Sequence, residues 1–92
     1  MYFRNIVGPQ IRLLRFEQNL SLARLTARLQ LSVMEISSSG LSKIESRTAA
    51  VSDIKLLHIS GVLGVSIQEL YPKRKRSEPV QDYLDRSKKR RL

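Results

Sequence analysis

Ninety-two residues with a formal net charge of +9 and an isoelectric point near 10.7 suit one small domain with a modest core. That charge points to an anionic partner, nucleic acid ahead of an acidic membrane. The lack of cysteine excludes a disulfide framework and any thiolate metal site. No apolar run approaches the roughly 20 residues of a membrane span, and residues 1–7 lack the apolar centre of a signal peptide. The expected setting is therefore cytoplasmic, alongside the nucleoid. The charge is unevenly spread: residues 1–71 carry eight Lys/Arg against five Asp/Glu, and residues 72–92 carry nine against three.

In chain order, residues 1–8 form a lead-in whose Tyr2, Phe3 and Ile6 are apolar enough to pack on the domain or on a partner chain. Gly8-Pro9 starts a helix, because proline at the first helical position costs no hydrogen bond. That helix is predicted over residues 9–18, with Ile11 and Leu14 inward and Arg12 outward. Ser21 caps a second helix reaching about Gln30, with Leu20 placed to staple onto Leu25. Arg24 and Arg28, four apart, share its outer face.

Residues 31–36 are too apolar for a plain loop, which predicts Leu31 and Ile36 buried at its two ends. Starting a helix at Ser32 is a less favoured parse, since Leu41, Ile44 and Glu45 would then need another helix. The preferred third helix has Ser37 as its cap, Leu41 and Ile44 as a narrow apolar stripe, and an outward face of Ser38, Ser39, Ser42 and Lys43 followed by Ser46 and Arg47. Short hydroxyls beside long cations suit close approach to phosphates and base edges; an idle solvated face is the plainer alternative. Gly40 would let a backbone come close there, at about 0.5–1 kcal/mol of helix stability.

Ser52 caps a fourth helix with Asp53 at its positive end. Ile54, Leu57 and Ser60 are predicted inward, leaving Leu56, Ile59 and Leu63 as a second apolar side for a homodimer interface. Gly64 ends it, Ser66 caps a last short helix over residues 67–70, and Tyr71-Pro72 closes the domain. Residues 73–92 form a basic tail in which Val80, Tyr83 and Leu84 recur at helical spacing between two basic runs. Such a tail can add affinity for nucleic acid without specificity; it can also simply be solvated, or be read as a localisation signal.

Ile11-Arg12-Leu13-Leu14-Arg15, Leu20-Ser21-Leu22-Ala23-Arg24-Leu25, Leu41-Ser42-Lys43-Ile44-Glu45 and Leu63-Gly64-Val65-Ser66-Ile67-Gln68-Glu69-Leu70 occur in that order and at telling spacings. Over about residues 8–71 the chain resembles the Cro/CI-type, or XRE-family, helix-turn-helix DNA-binding domain. The resemblance implies an all-α, five-helix, lambda-repressor-like domain over residues 1–72, with a recognition helix at about 37–46 lying in the DNA major groove. It implies base contacts from Ser38, Ser39, Ser42 and Lys43, phosphate contacts from Arg24, Arg28, Ser46 and Arg47, and a structural ion pair between Arg15 and Glu45. Two departures stand out. About five extra residues separate the second and third helices, and Leu22 stands where the family often has a phosphate-binding glutamine.

The expected function is a sequence-specific transcriptional regulator, a repressor, binding double-stranded DNA as a homodimer without a cofactor. The rival is an interaction module, such as an antitoxin or an assembly subunit, that uses the same fold to hold a protein. An enzyme is not expected: His58 is the one histidine and has no carboxylate cluster around it, and the serines sit at caps or on a polar face with no paired base.

Overall fold

A computed structural model describes residues 3–73 and 77–88. Among them are five α-helices and one 3-10 turn, with no strand: α1 (Gly8–Glu17), α2 (Leu22–Leu31), α3 (Ser38–Glu45), α4 (Asp53–Leu63), the 3-10 turn Ile67–Leu70, and α5 (Val80–Lys88). No helix among the described residues is long and apolar enough to cross a membrane. Of the two basic runs in the tail, residues 74–76 and 89–91 lie outside the described residues, as does Tyr2.

Hydroxyl caps start α2, α3 and α4. Ser21 Oγ accepts from the Arg24 amide at 3.1 Å, Ser37 Oγ from Gly40 at 3.0 Å and Ser52 Oγ from Lys55 at 3.2 Å. Each satisfies an amide that would otherwise lack a helical partner, worth about 1 kcal/mol. Ser66 and Glu69 form a reciprocal capping box at the 3-10 turn.

Left-handed residues end them. Asn19, Val33, Arg47 and Gly64 have φ between 56° and 70° and follow α1, α2, α3 and α4 in turn. In each case the following amide reaches back five residues, as Leu20 N–H does to Arg15 and Met34 N–H to Leu29, at 3.0 and 3.1 Å. This is the Schellman arrangement. Glycine takes that conformation freely, asparagine tolerates it, and a β-branched valine adopts it only with backbone strain of roughly 1–3 kcal/mol.

The termination of α2 explains why residues 31–36 differ from expectation. The buried residue is Met34, which follows the left-handed Val33 and turns back onto Leu29. Leu31 is 84% exposed, and Ile36 only half-buried. The lengthened turn is bridged by Gln30, whose Nε2 donates to the Ile36 carbonyl at 2.8 Å.

The core lies where α1, α2, α3 and α4 converge, around Ile11, Leu25, Leu29, Leu41 and Ile59, all essentially without exposure. Helix α1 packs on α3 and the 3-10 turn, and α2 packs on α3 and α4. The orientation of α4 reverses the expected one. Leu56, Ile59 and Leu63 belong to the core, together with Ser60, so they are not a surface for a second chain. Ile54 and Leu57 stand outside at 67% and 65% exposure. The sequence 56, 59, 60, 63 fills the i, i+3, i+4, i+7 pattern of one helical face more completely than 54, 57, 60 does. Beyond the 3-10 turn, α5 is fastened by Tyr83, buried with its hydroxyl donating to the Pro72 carbonyl at 3.0 Å.

Candidate nucleic-acid interface

Helix α3 has eight residues, and its side chains divide cleanly. Leu41, Ile44 and Glu45 are buried; Ser38, Ser39, Ser42 and Lys43 are exposed along one side, continued by Ser46. The Ser38 hydroxyl donates to Thr26 Oγ1 at 3.2 Å, tying the first turn of α3 to α2, while its lone pairs stay available as acceptors. The Ser46 hydroxyl donates to the Lys43 carbonyl at 3.2 Å, so it helps close the end of α3. Gly40 is not on this outward side. It is half-buried under Ser37 and Ile36, where a Cβ would come within 3.3 Å of Ser37 Oγ and 3.5 Å of Ile36 Cγ1. Its value is thus to the cap and not to an approaching ligand.

Two anchors hold α3 against the body. Arg15 on α1 and Glu45 at the end of α3 form a fork-to-fork pair, Nε to Oε2 at 2.8 Å and Nη2 to Oε1 at 2.9 Å. Arg15 Nη1 also donates to the Leu20 carbonyl at 2.9 Å. The hydrogen bonds to Glu45 raise the basicity of Arg15 above its ordinary value, against the opposing effect of burial, and the carboxylate charge adds to them.

The second anchor is the lead-in. Asn5 Nδ2 donates to the carbonyls of Ile44 at 3.0 Å and Ala49 at 2.8 Å, and its Oδ1 accepts from the amides of Val7 at 3.1 Å and Gly8 at 2.8 Å. One side chain thereby caps the start of α1 and ties down the end of α3. The two helices meet so closely that a Cβ on Gly8 would stand 2.7 Å from the Glu45 carbonyl oxygen. Gly8 is there for close approach, beyond its part in starting the helix.

The cations divide as well. Arg24 and Arg28 are exposed on α2. Arg47 is a correction to the phosphate-contact set: it is only 4% exposed, its guanidinium lies 3.9 Å over the Phe3 ring, and its Nε donates to the Asn5 carbonyl at 2.9 Å. Burial lowers its basicity from the ordinary arginine value. Its backbone makes the left-handed turn after α3, and its side chain pins the lead-in, so it cannot reach a ligand on the outer face.

Sequence reasoning leaves Arg12 out of the contact set. It is exposed on α1, lies over Phe16 at 5.2 Å, and lines one shallow cleft with Arg15, Leu22, Ser42, Glu45 and Ser46. The signal is its position three residues before Arg15, which sets the two guanidinium groups on neighbouring turns of one helix. Among the described residues no group of three or more His, Cys, Asp or Glu side chains could hold a metal ion. His58 is occupied by a hydrogen bond between its Nδ1 and Ser32 Oγ at 2.7 Å.

Compared with protein-family models, curated proteins and solved structures, the chain gives no significant match to any of them.

Proposed function

We propose that this chain is a sequence-specific DNA-binding transcriptional regulator of the repressor type, with α3 as the helix that enters the major groove. The observation that carries this reading is the outer side of α3. Ser38, Ser39, Ser42 and Lys43 stand exposed there on a helix held from behind by a buried ion pair and a half-buried asparagine. A helix fastened at its back while its polar side is left open is suited to reading a surface in fixed register. Lysine donates to the guanine O6 and N7 acceptors, and serine can donate to or accept from several bases. Arg12, Arg24 and Arg28 are available beside it for phosphates, which position a reader without informing it.

The test is selection of bound duplexes from a randomised pool by the full chain near physiological salt, repeated with Lys43→Ala. The expected result is an enriched motif whose affinity falls more than that of random DNA when Lys43 is truncated, by about 1–3 kcal/mol for each base contact removed. Equal weakening on both would make Lys43 a phosphate contact. No enrichment by the full chain would overturn the DNA reading. The protein-interaction reading would then lead, favoured by the aliphatic residues that stand exposed on the α2–α3 turn and α4.

A further inference from the structure

Phe16 is an aromatic side chain near the end of α1 that is left 53% exposed and takes no part in the core. What lies against it is charge. The Arg15 guanidinium stands 4.7 Å from the centre of its ring and the Arg12 guanidinium 5.2 Å. An aromatic face attracts a cation, and this one ring gathers two.

The two arginines differ in what they have left to give. Arg15 is fixed by three bonds, from Nε and Nη2 to Glu45 and from Nη1 to the Leu20 carbonyl. Arg12 is exposed and has no carboxylate partner among the described residues. Its spacing of four from Phe16 sets both side chains on one side of α1. The ring therefore rests against a guanidinium that is held and offers its surface to one that is not. A guanidinium stacked by its face keeps its in-plane N–H groups open for paired bonds to an oxyanion.

Those donors stand beside the shallow cleft of about 210 Å³ that Arg12 and Arg15 line with Leu22, Ser42, Glu45 and Ser46. The Glu45 carboxylate there is matched by Arg15, which leaves Arg12 as the uncompensated charge. Ser42 and Ser46 bring hydroxyls from the α3 side. One spare positive charge beside two hydroxyls suits a phosphodiester, which carries one negative charge and accepts hydrogen bonds.

We propose that Phe16 is a positioning residue, which holds the Arg12 guanidinium beside this cleft to grip a backbone phosphate of a duplex lying against α3. The inference rests on the DNA reading for its ligand, and adds that one phosphate is met by an arginine set in place beforehand. A free arginine side chain surrenders rotamer freedom when it binds, and one already stacked surrenders less. The stack also accounts for an aromatic residue on the surface, because an aliphatic one of similar size would offer no π face.

The experiment is titration of a random-sequence duplex with the full chain at several salt concentrations, since a phosphate contact carries no sequence information. The chains compared are the wild type, Arg12→Ala, Phe16→Leu, Phe16→Tyr and the double variant Arg12→Ala/Phe16→Leu. Arg12→Ala should lower the log–log salt slope by about one unit. Phe16→Leu should weaken binding roughly two- to fivefold while Arg12 is present and not at all in its absence, and Phe16→Tyr should bind as the wild type does. Leucine keeps the apolar bulk, and an effect on folding would persist in the double variant, so a merely structural role cannot give this pattern. An unchanged slope for Arg12→Ala, an equal loss from Phe16→Leu in both backgrounds, or a tyrosine no better than leucine overturns the proposal. The expected coupling in a chain that enriches no motif supports the proposal and sinks only the sequence-specific reading. An enriched motif without the coupling does the reverse, and a chain that binds no duplex sinks both.

Discussion

The guanidinium of Arg15 donates to three oxygens, two on Glu45 and one on the Leu20 carbonyl, so truncating either member of the pair strands a buried charge. Glu45→Ala should therefore lower unfolding free energy by about 3–5 kcal/mol, well above the typical effect of a surface change. Chemical denaturation of the variant checks this, and a change under about 1 kcal/mol would mean water reaches the pair. Arg47 offers a sharper contrast between position and role. As a surface phosphate contact its removal would leave stability untouched. As the buried residue that stacks on Phe3 and bonds to Asn5, its replacement by alanine should destabilise the fold by about 2–4 kcal/mol, read as a drop in melting temperature without DNA.

At the scale of the element, helix starts are legible in the sequence and helix ends are not, for a chemical reason. The starts of α2, α3, α4 and the 3-10 turn depend on a hydroxyl at one position, and Ser21, Ser37, Ser52 and Ser66 announce them. Ends depend on a left-handed residue, and Asn19 and Gly64 advertise theirs, whereas Val33 and Arg47 adopt the conformation against their preference because the next residue, Met34 or Thr48, completes the bonds. An unmarked end to α2 is the reason that Leu31, and not Met34, reads as the buried residue. The faces of α4 are exchanged for a related reason. Aliphatic residues occur on both its sides, so periodicity alone does not say which side the core takes. Within the candidate site, α3 and its exposed serines and lysine follow from the pattern of the helix itself. Asn5 does not, because its importance arises from carbonyls far away in the chain, and Arg12 is marked only by its spacing from Arg15. Gly64→Ala should cost about 1 kcal/mol, since a Cβ is disfavoured at φ 70°. Gly8→Ala should cost more, because no L residue fits against the Ile44 and Glu45 carbonyls without moving α1 from α3. Thermal melts of the two variants rank them, and an equal shift would argue that Gly8 serves only its own turn.

The whole molecule keeps most of its cationic charge away from the candidate site. The exposed side of α3 contributes one cation, Lys43, while nine of the 17 Lys/Arg residues lie beyond residue 71. Under the DNA reading, affinity and selectivity should therefore respond to different changes. Replacing the basic tail residues by glutamine should flatten the dependence of binding on salt, by roughly one unit of log–log slope for each phosphate no longer neutralised, and leave the enriched motif unchanged. Titrations at several salt concentrations measure the slope; a changed motif would assign base contacts to the tail.

Asn5 also sets an order of events during synthesis. Its side chain bonds to the Ile44 and Ala49 carbonyls, 39 and 44 residues further along. At about 5–20 residues per second, a growing chain waits seconds between making that asparagine and making the carbonyls that receive it. Throughout that interval the amides of Val7 and Gly8 can already bond to Asn5 Oδ1, because those bonds span only two and three residues. The same side chain can thus serve first as the local brace that starts α1 and later as the latch that closes over α3, so that closure of the domain follows the emergence of residue 49.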